Sequence, residues 1–195
     1  MTDDEVIGEA LAGTQRAYAA LVDRYQRPVY RLIARLVGEP SVAAELAQDT
    51  FLKAFRRLES FDRSRDFSPW ILRIAHNTAV DALRRGRLEE VEVAHEHARH
   101  GVTLASSSPG PHRQTENRLM LRDLQAGLRR LRPDHRTALL LRVEGERSYT
   151  DIAYVMGVAV GTAKSYVHRA RRQLADDLRG AGWGGATDAP GPRST

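Results

Sequence analysis

Cysteine is absent from all 195 residues, which removes disulfides, thiolate zinc sites and cysteine nucleophiles together. Lysine is nearly absent too: 28 of the 30 basic residues are Arg, and only Lys53 and Lys164 are Lys. Arg richness of this kind, beside many Ala and Gly, fits GC-rich coding and by itself says little about partners. No run approaches the roughly 20 apolar residues that a bilayer requires, so membrane insertion is not expected. The first ten residues, MTDDEVIGEA, are acidic without an apolar centre, unlike a secretory signal, and a cytoplasmic location fits them. No phosphate-binding glycine loop, nucleophile elbow or HExxH motif occurs. Neither a strand pattern nor an internal repeat is present, so the expected fold class is all-α.

What is present is a chain that is 42% hydrophobic and 28% charged, with a net charge of +5. The charge is segregated. Residues 88–116 carry Glu89, Glu90, Glu92, Glu96 and Glu116 against Arg99 and Arg113, whereas 160–172 carry Lys164, Arg169, Arg171 and Arg172 with no acid. Segregation of this kind is expected when only some surfaces face nucleic acid.

Apolar residues recur at spacings of three and four from 14 to about 86, the helical period. Tyr18, Leu21, Val22 and Tyr25 form one stripe, and Val29, Leu32, Ile33, Leu36 and Val37 the next. Pro28 between them removes a backbone donor and is expected to kink or divide the pair. Ser41 is expected to cap a helix with Leu46, Thr50, Phe51, Ala54, Phe55 and Leu58 inward. Ser68-Pro69-Trp70 reads as N-cap, N1 and first turn of a helix to about Arg85, burying Ile71, Ile74, Ala75, Thr78 and Leu83. Asp3, Asp4, Glu5 and Glu9 read as a solvated helix start.

From 88 to 116 the periodicity fails, and Ser106-Ser107-Ser108-Pro109-Gly110-Pro111 has the composition of a connector. Such a linker averages roughly 30 Å end to end as a coil and reaches about 100 Å at full extension. A second domain is expected at 117–179, with Leu121, Leu124, Leu128 and Leu131 inward on its first helix. A helix opened by Pro133 follows, burying Ala138, Leu139, Leu140 and Val143. The Gly/Pro stretch 180–195 reads as a disordered tail. His95, His97 and His100 fall within six residues in the linker, without a scaffold to fix them, and no metal site is assigned there.

The sharpest pattern lies at 148–178. Ser148-x-x-Asp151 is a capping signature, Ile152, Ala153, Val155 and Met156 form an apolar face, and Gly157-Val158-Ala159 makes a turn. A longer helix then places Val160, Ala163, Val167, Ala170, Leu174 and Leu178 on its inner stripe. Thr162, Ser165, Tyr166, His168, Arg169 and Arg172 are left outward. This is a helix-turn-helix, whose second helix enters the major groove. By residues alone, a stand-alone repressor or activator with a dimerising or ligand-sensing first domain also fits.

The segment YTDIAYVMGVAVGTAKSYVHRARR at 149–172 resembles region four of the extracytoplasmic-function (ECF) group of bacterial RNA polymerase sigma factors. ELAQDTFLKAF at 45–55 and WILRIAHNTAVDALRR at 70–85 resemble region two of the same family, in the family's order. Ala44, Ala47, Ala163 and Tyr166 depart from its usual pattern.

The resemblance implies a two-domain initiation factor that needs no cofactor. Its partners would be core RNA polymerase, through the β′ clamp helices and the β flap, then promoter DNA and an anti-sigma factor. It assigns polymerase docking to Glu45, Gln48, Asp49 and Leu52, which lie opposite the Leu46/Phe51/Phe55 stripe. Capture of a flipped minus-ten base falls to the loop 60–67, with Phe67 as the exposed ring and Phe61 and Trp70 in the core. Arg73, His76 and Asn77 join that surface, and Arg84 and Arg85 grip the backbone. Thr162, Lys164, Ser165, His168, Arg169, Arg171 and Arg172 would contact the minus-thirty-five element.

Overall fold

A computed structural model describes residues 1–92, 111–143 and 145–183. The histidines at 95–100, the Ser/Pro connector through 110 and the tail beyond 183 lie outside the described residues. Within them every regular element is a helix: α1 Asp3–Leu11, α2 Gln15–Val37, α3 Pro40–Arg56, α4 Phe67–Glu92, α5 Pro111–Arg130, α6 Pro133–Val143, α7 Tyr149–Met156 and α8 Val160–Gly180. A single 3-10 turn, Leu58–Ser60, joins α3 to the loop before α4.

The first four helices pack around Leu21, Val29, Ile33, Leu36, Phe51, Ile71 and Ala75, all buried. The apolar spacing thus folds as read, with differences at the ends and at Pro28. Helix α2 runs unbroken through Pro28. Its stripe is buried on both sides of the proline, and this tertiary packing outweighs the one ladder bond that the ring removes. Pro40, not Ser41, opens α3: Glu39 is the N-cap residue, and the Ser41 hydroxyl donates 3.0 Å to its carboxylate. Helix α4 begins at Phe67, one residue before the expected cap, and continues past Arg85 to Glu92.

Helix α1 starts on surface acids, as read, and is also part of the core. Val6, Ile7 and Ala10 are buried in the core, and a Thr2/Glu5 capping box closes its first turn. Its acids are tied to distant arginines: Arg24 Nη1 donates 2.7 Å to Asp3, and Arg63 Nε donates 2.6 Å to Asp4.

In the second half, the Ser148/Asp151 box caps α7 and Gly157, at φ +66°, ends it. That left-handed geometry favours glycine, and the turn into α8 follows at once. Helix α6 is buried more completely than an amphipathic reading expects: Leu141 is inside while Val143 is 60% exposed. The cause is that α6 packs against α2 as well as α7 and α8. Arg136 Nη2 reaches across and donates 2.7 Å to the Leu36 carbonyl, at the C-terminal end of α2. On α5 Leu121, Leu124 and Leu128 are half-buried, and Leu131, just past its end, is buried fully.

Candidate nucleic-acid interface

Three polar strips stand on three helices whose apolar backs are buried. On α3, Glu45 and Gln48 are exposed, Asp49 is half-exposed and Leu52 is 52% exposed, with Val42 beside them. Behind them Ala43, Leu46, Thr50, Phe51 and Ala54 are buried. Asp49 is already paired, its carboxylate lying 2.7 Å from Lys53 Nζ, so the strip is less acidic than its sequence suggests.

On α4, Arg73, Asn77, Arg84 and Arg85 are exposed, and Arg73, Asn77 and Arg84 recur at helical spacing along one side. Two residues expected with them are not there. Phe67 is only 1% exposed. Its ring centroid lies 5.1 Å from Tyr25, 5.3 Å from Phe61 and 5.3 Å from Trp70, a cluster of aromatic pairs that leaves no open face for a base. Phe61 and Trp70 sit in this cluster as expected. His76 is 6% exposed, and burial pushes its imidazole below its usual range. It is a neutral interior ring with an unpartnered Nδ1, not a DNA contact. Nothing in the local sequence separates His76 from Asn77, because the inner face is set by which side of α4 meets α2 and α3.

On α8, Ala163, Val167 and Ala170 are buried. Lys164, His168, Arg169, Arg171 and Arg172 are exposed, and Thr162 and Ser165 are half-buried at its first turns. Two residues depart from the expected stripe. Val160 is 39% exposed, and Tyr166 turns partly inward, its ring 5.2 Å from that of His135. His135 is held below its usual pKa by burial first, then by Arg132 and Arg169.

Sequence reasoning missed one cluster beside α8. The Tyr149 ring, at the start of α7, has Arg142 at 5.1 Å and Lys164 at 5.7 Å. Both cations are thereby held on the helix-turn-helix face. An aromatic at the first position of a capped helix was the available signal.

Between α5, α6 and α8 lies an apolar groove of about 380 Å³, lined by Leu124, Leu128, Leu139, Leu140, Val143, Leu174 and Leu178 among others. No helix among the described residues is long and apolar enough to cross a membrane. No group of three or more metal-ligating side chains converges among them.

Comparison with known proteins agrees with this arrangement. Residues 21–89 match Sigma-70 region 2, and residues 121–174 match Sigma-70, region 4. Over 177 residues the chain is 30% identical to the ECF RNA polymerase sigma factor SigW of Bacillus subtilis, spanning 89% of this chain and 95% of that protein. The RNA polymerase sigma-H factor of Pseudomonas aeruginosa is 35% identical over 183 residues, 88% of this chain and 91% of its own length. Among solved structures, the sigma factor RpoE in complex with the anti-sigma factor NepR from Bartonella quintana is 28% identical. It superposes with a TM-score of 0.66 over 83% of this chain and 96% of that one.

The fold and the two matched regions are those of a transcription initiation factor, a protein that directs RNA polymerase to promoters and catalyses nothing itself. The chain belongs to the ECF group of RNA polymerase sigma factors.

Proposed function

We propose that the three strips divide promoter-specific initiation among themselves. The observation that carries this reading is their separation: each is a polar ridge on its own helix, backed by buried apolar residues. Glu45, Gln48, Asp49 and Leu52 on α3 dock on the β′ clamp helices, where a mixed acidic and amide ridge with one exposed Leu complements an Arg-bearing partner. The α5–α6–α8 groove receives a helix of the β flap, because its lining is mostly apolar and Val143 stands open at its edge.

Arg73 and Asn77 read the opened minus-ten strand, with Arg84 and Arg85 on its phosphates. Lys164 and Ser165 face the minus-thirty-five bases while Arg171 and Arg172 hold backbone, and Arg142 joins this surface through Tyr149. Residues 14–87 and 117–179 act as the two reading units, joined by the chain between α4 and α5. The location is cytoplasmic, where the polymerase works. By likeness to relatives solved with inhibitors, an anti-sigma factor holds the protein in reserve.

Transcription reconstituted with purified core polymerase, with sequencing of RNA 5′ ends, tests the whole reading. The wild type is expected to yield discrete starts, and Asn77→Ala to lose permanganate-reactive open complex on a duplex promoter while recovering it on a pre-melted one. Equal defects on both templates would remove Asn77 from base reading. A duplex-binding repressor, the other class compatible with the residues, would instead bind a symmetric operator without polymerase.

A further inference from the structure

With Phe61 and Phe67 buried, the loop assigned to the flipped base presents no ring; between them it exposes only Asp62, Arg63, Ser64, Arg65 and Asp66. Four of these five are already engaged. Asp62 accepts from the Ser64 amide at 3.1 Å, from the Ser64 hydroxyl at 2.6 Å and from Arg65 Nε at 3.1 Å. Arg63 is held by the carboxylate and the backbone carbonyl of Asp4. Arg65, besides its bond to Asp62, lies over the Tyr154 ring of α7 at 5.4 Å, and Arg73 lies over the same ring at 5.1 Å. Asp66 is exposed and has neither a hydrogen bond nor an ion pair among the described residues.

Its place is nevertheless fixed. Asp66 stands between a turn closed by the Arg65 amide on the Asp62 carbonyl, at 3.0 Å, and Phe67, whose ring packs among those of Tyr25, Phe61 and Trp70. An unpaired carboxylate at this point repels the phosphates of any strand brought to the loop. It contributes selectivity only where a base returns a hydrogen bond to it. A flipped base exposes its Watson–Crick edge, and the four bases differ there. Adenine, cytosine and guanine each carry an exocyclic amino donor. Thymine carries two carbonyl oxygens around one ring N–H, and both oxygens repel a carboxylate.

We infer that Asp66 is a specificity-determining residue of the loop, accepting a hydrogen bond from the exocyclic amino group of the captured base and rejecting thymine. The inference rests on the minus-ten reading above and adds to it the class of base. The pairs Asp62–Arg65 and Asp4–Arg63 shape the loop, which leaves Asp66 as its reading group.

Holoenzyme assembled from the full chain and core polymerase is given a promoter library randomised through the minus-ten element, and the transcribed templates are sequenced. At one position the wild type is expected to favour amino-bearing bases over thymine by about tenfold, the scale of one specific base contact. Asp66→Asn keeps the size and adds a donor that a thymine carbonyl can accept, so thymine should draw level at that position alone. Asp66→Ala should flatten the preference there. Since Asp66 has no partner to lose, both variants should keep the wild-type circular dichroism.

Base analogues test the same contact without altering the protein. Purine in place of adenine, or hypoxanthine in place of guanine, lacks only the amino group, and each should lose about tenfold with the wild type and nothing with Asp66→Ala. A wild type that disfavours thymine at no minus-ten position, an Asp66→Asn preference identical to the wild type's, or an analogue that costs the wild type nothing overturns the inference. An abasic nucleotide walked through the minus-ten strand of a pre-melted promoter separates failure of the underlying reading. If no abasic position weakens the complex, that reading falls and the inference with it. If one does while the Asp66 variants keep the wild-type preference, the reading stands and the assignment to Asp66 falls.

Discussion

The two halves of the molecule are built from different materials. All four phenylalanines lie in the first 67 residues, and two of them, with Tyr25 and Trp70, lock the start of α4 onto α2. The second half holds no phenylalanine; its interior is Ala138, Ala153, Ala163 and Ala170 with Ile152, Val155, Val167 and aliphatic leucines such as Leu131 and Leu141, and other leucines ring a groove. Large interlocked rings make a platform that holds the start of α4 in a fixed shape. Small side chains let helices approach closely but leave apolar surface for a partner to cover.

The largest test of that contrast is Phe67→Ala. Truncating a fully enclosed ring is expected to cost about 3–5 kcal/mol, lowering the unfolding midpoint by several degrees. A loss under about 1 kcal/mol together with a promoter-opening defect would return Phe67 to the DNA surface.

In the second half Leu124→Asp is expected to do the reverse. As a half-buried groove residue it should change stability by no more than about 1 kcal/mol, yet weaken binding of the isolated β flap by at least about tenfold in a pull-down or calorimetric titration. Unfolding of this variant would mean that the groove is core after all.

A smaller effect is expected on the polymerase face, where Asp49→Arg with Gln48→Ala should weaken core binding roughly tenfold or less, because the ridge is exposed and Asp49 is already paired with Lys53. Affinity within about twofold of the wild type removes α3 from docking.

The smallest concerns pH. Burial lowers the pKa of His76 in the folded protein below the unfolded value of 6.5. Above pH 6.5 both states are neutral and the group is silent. Below it the unfolded chain takes up the proton first, so stability falls as pH falls. His135 adds to the same slope. Chemical denaturation between pH 7.5 and about pH 5.5 should show the decline, and His76→Leu should flatten it.

Much of this was legible along the chain, because it follows from local spacing. The α2 and α3 stripes, the Ser148/Asp151 cap and the Gly157 turn each depend on residues within one or two helical turns. Thr162 through Arg172 could be placed by counting from Gly157. Phe67 could not, since its burial is decided by Tyr25, 42 positions earlier in the chain. Nor could the Arg73–Tyr154 contact, whose partners are 81 positions apart. His76 and Asn77 are adjacent and both polar, so only the assembled helices decide which of them faces in. The acids of α1 are solvated as read, but the pairing of Asp3 and Asp4 with Arg24 and Arg63 was hidden because those arginines belong to later elements.

That last pairing gives the opening residues a reach beyond their own helix. Arg63, in the loop assigned to the flipped base, is gripped by Asp4 through both carboxylate oxygens, at 2.6 and 2.8 Å. Helix α1 lies outside the matched region 21–89, yet it acts as a splint on that loop. Anything that disturbs the chain's beginning, such as a fusion partner abutting Met1 or removal of residues 1–12, should loosen residues 60–66 while the recognition helix α8 stays intact. Amide exchange would accelerate in that loop and in the part of α2 that α1 covers, and a tagged preparation would misreport strand opening while binding the upstream element faithfully.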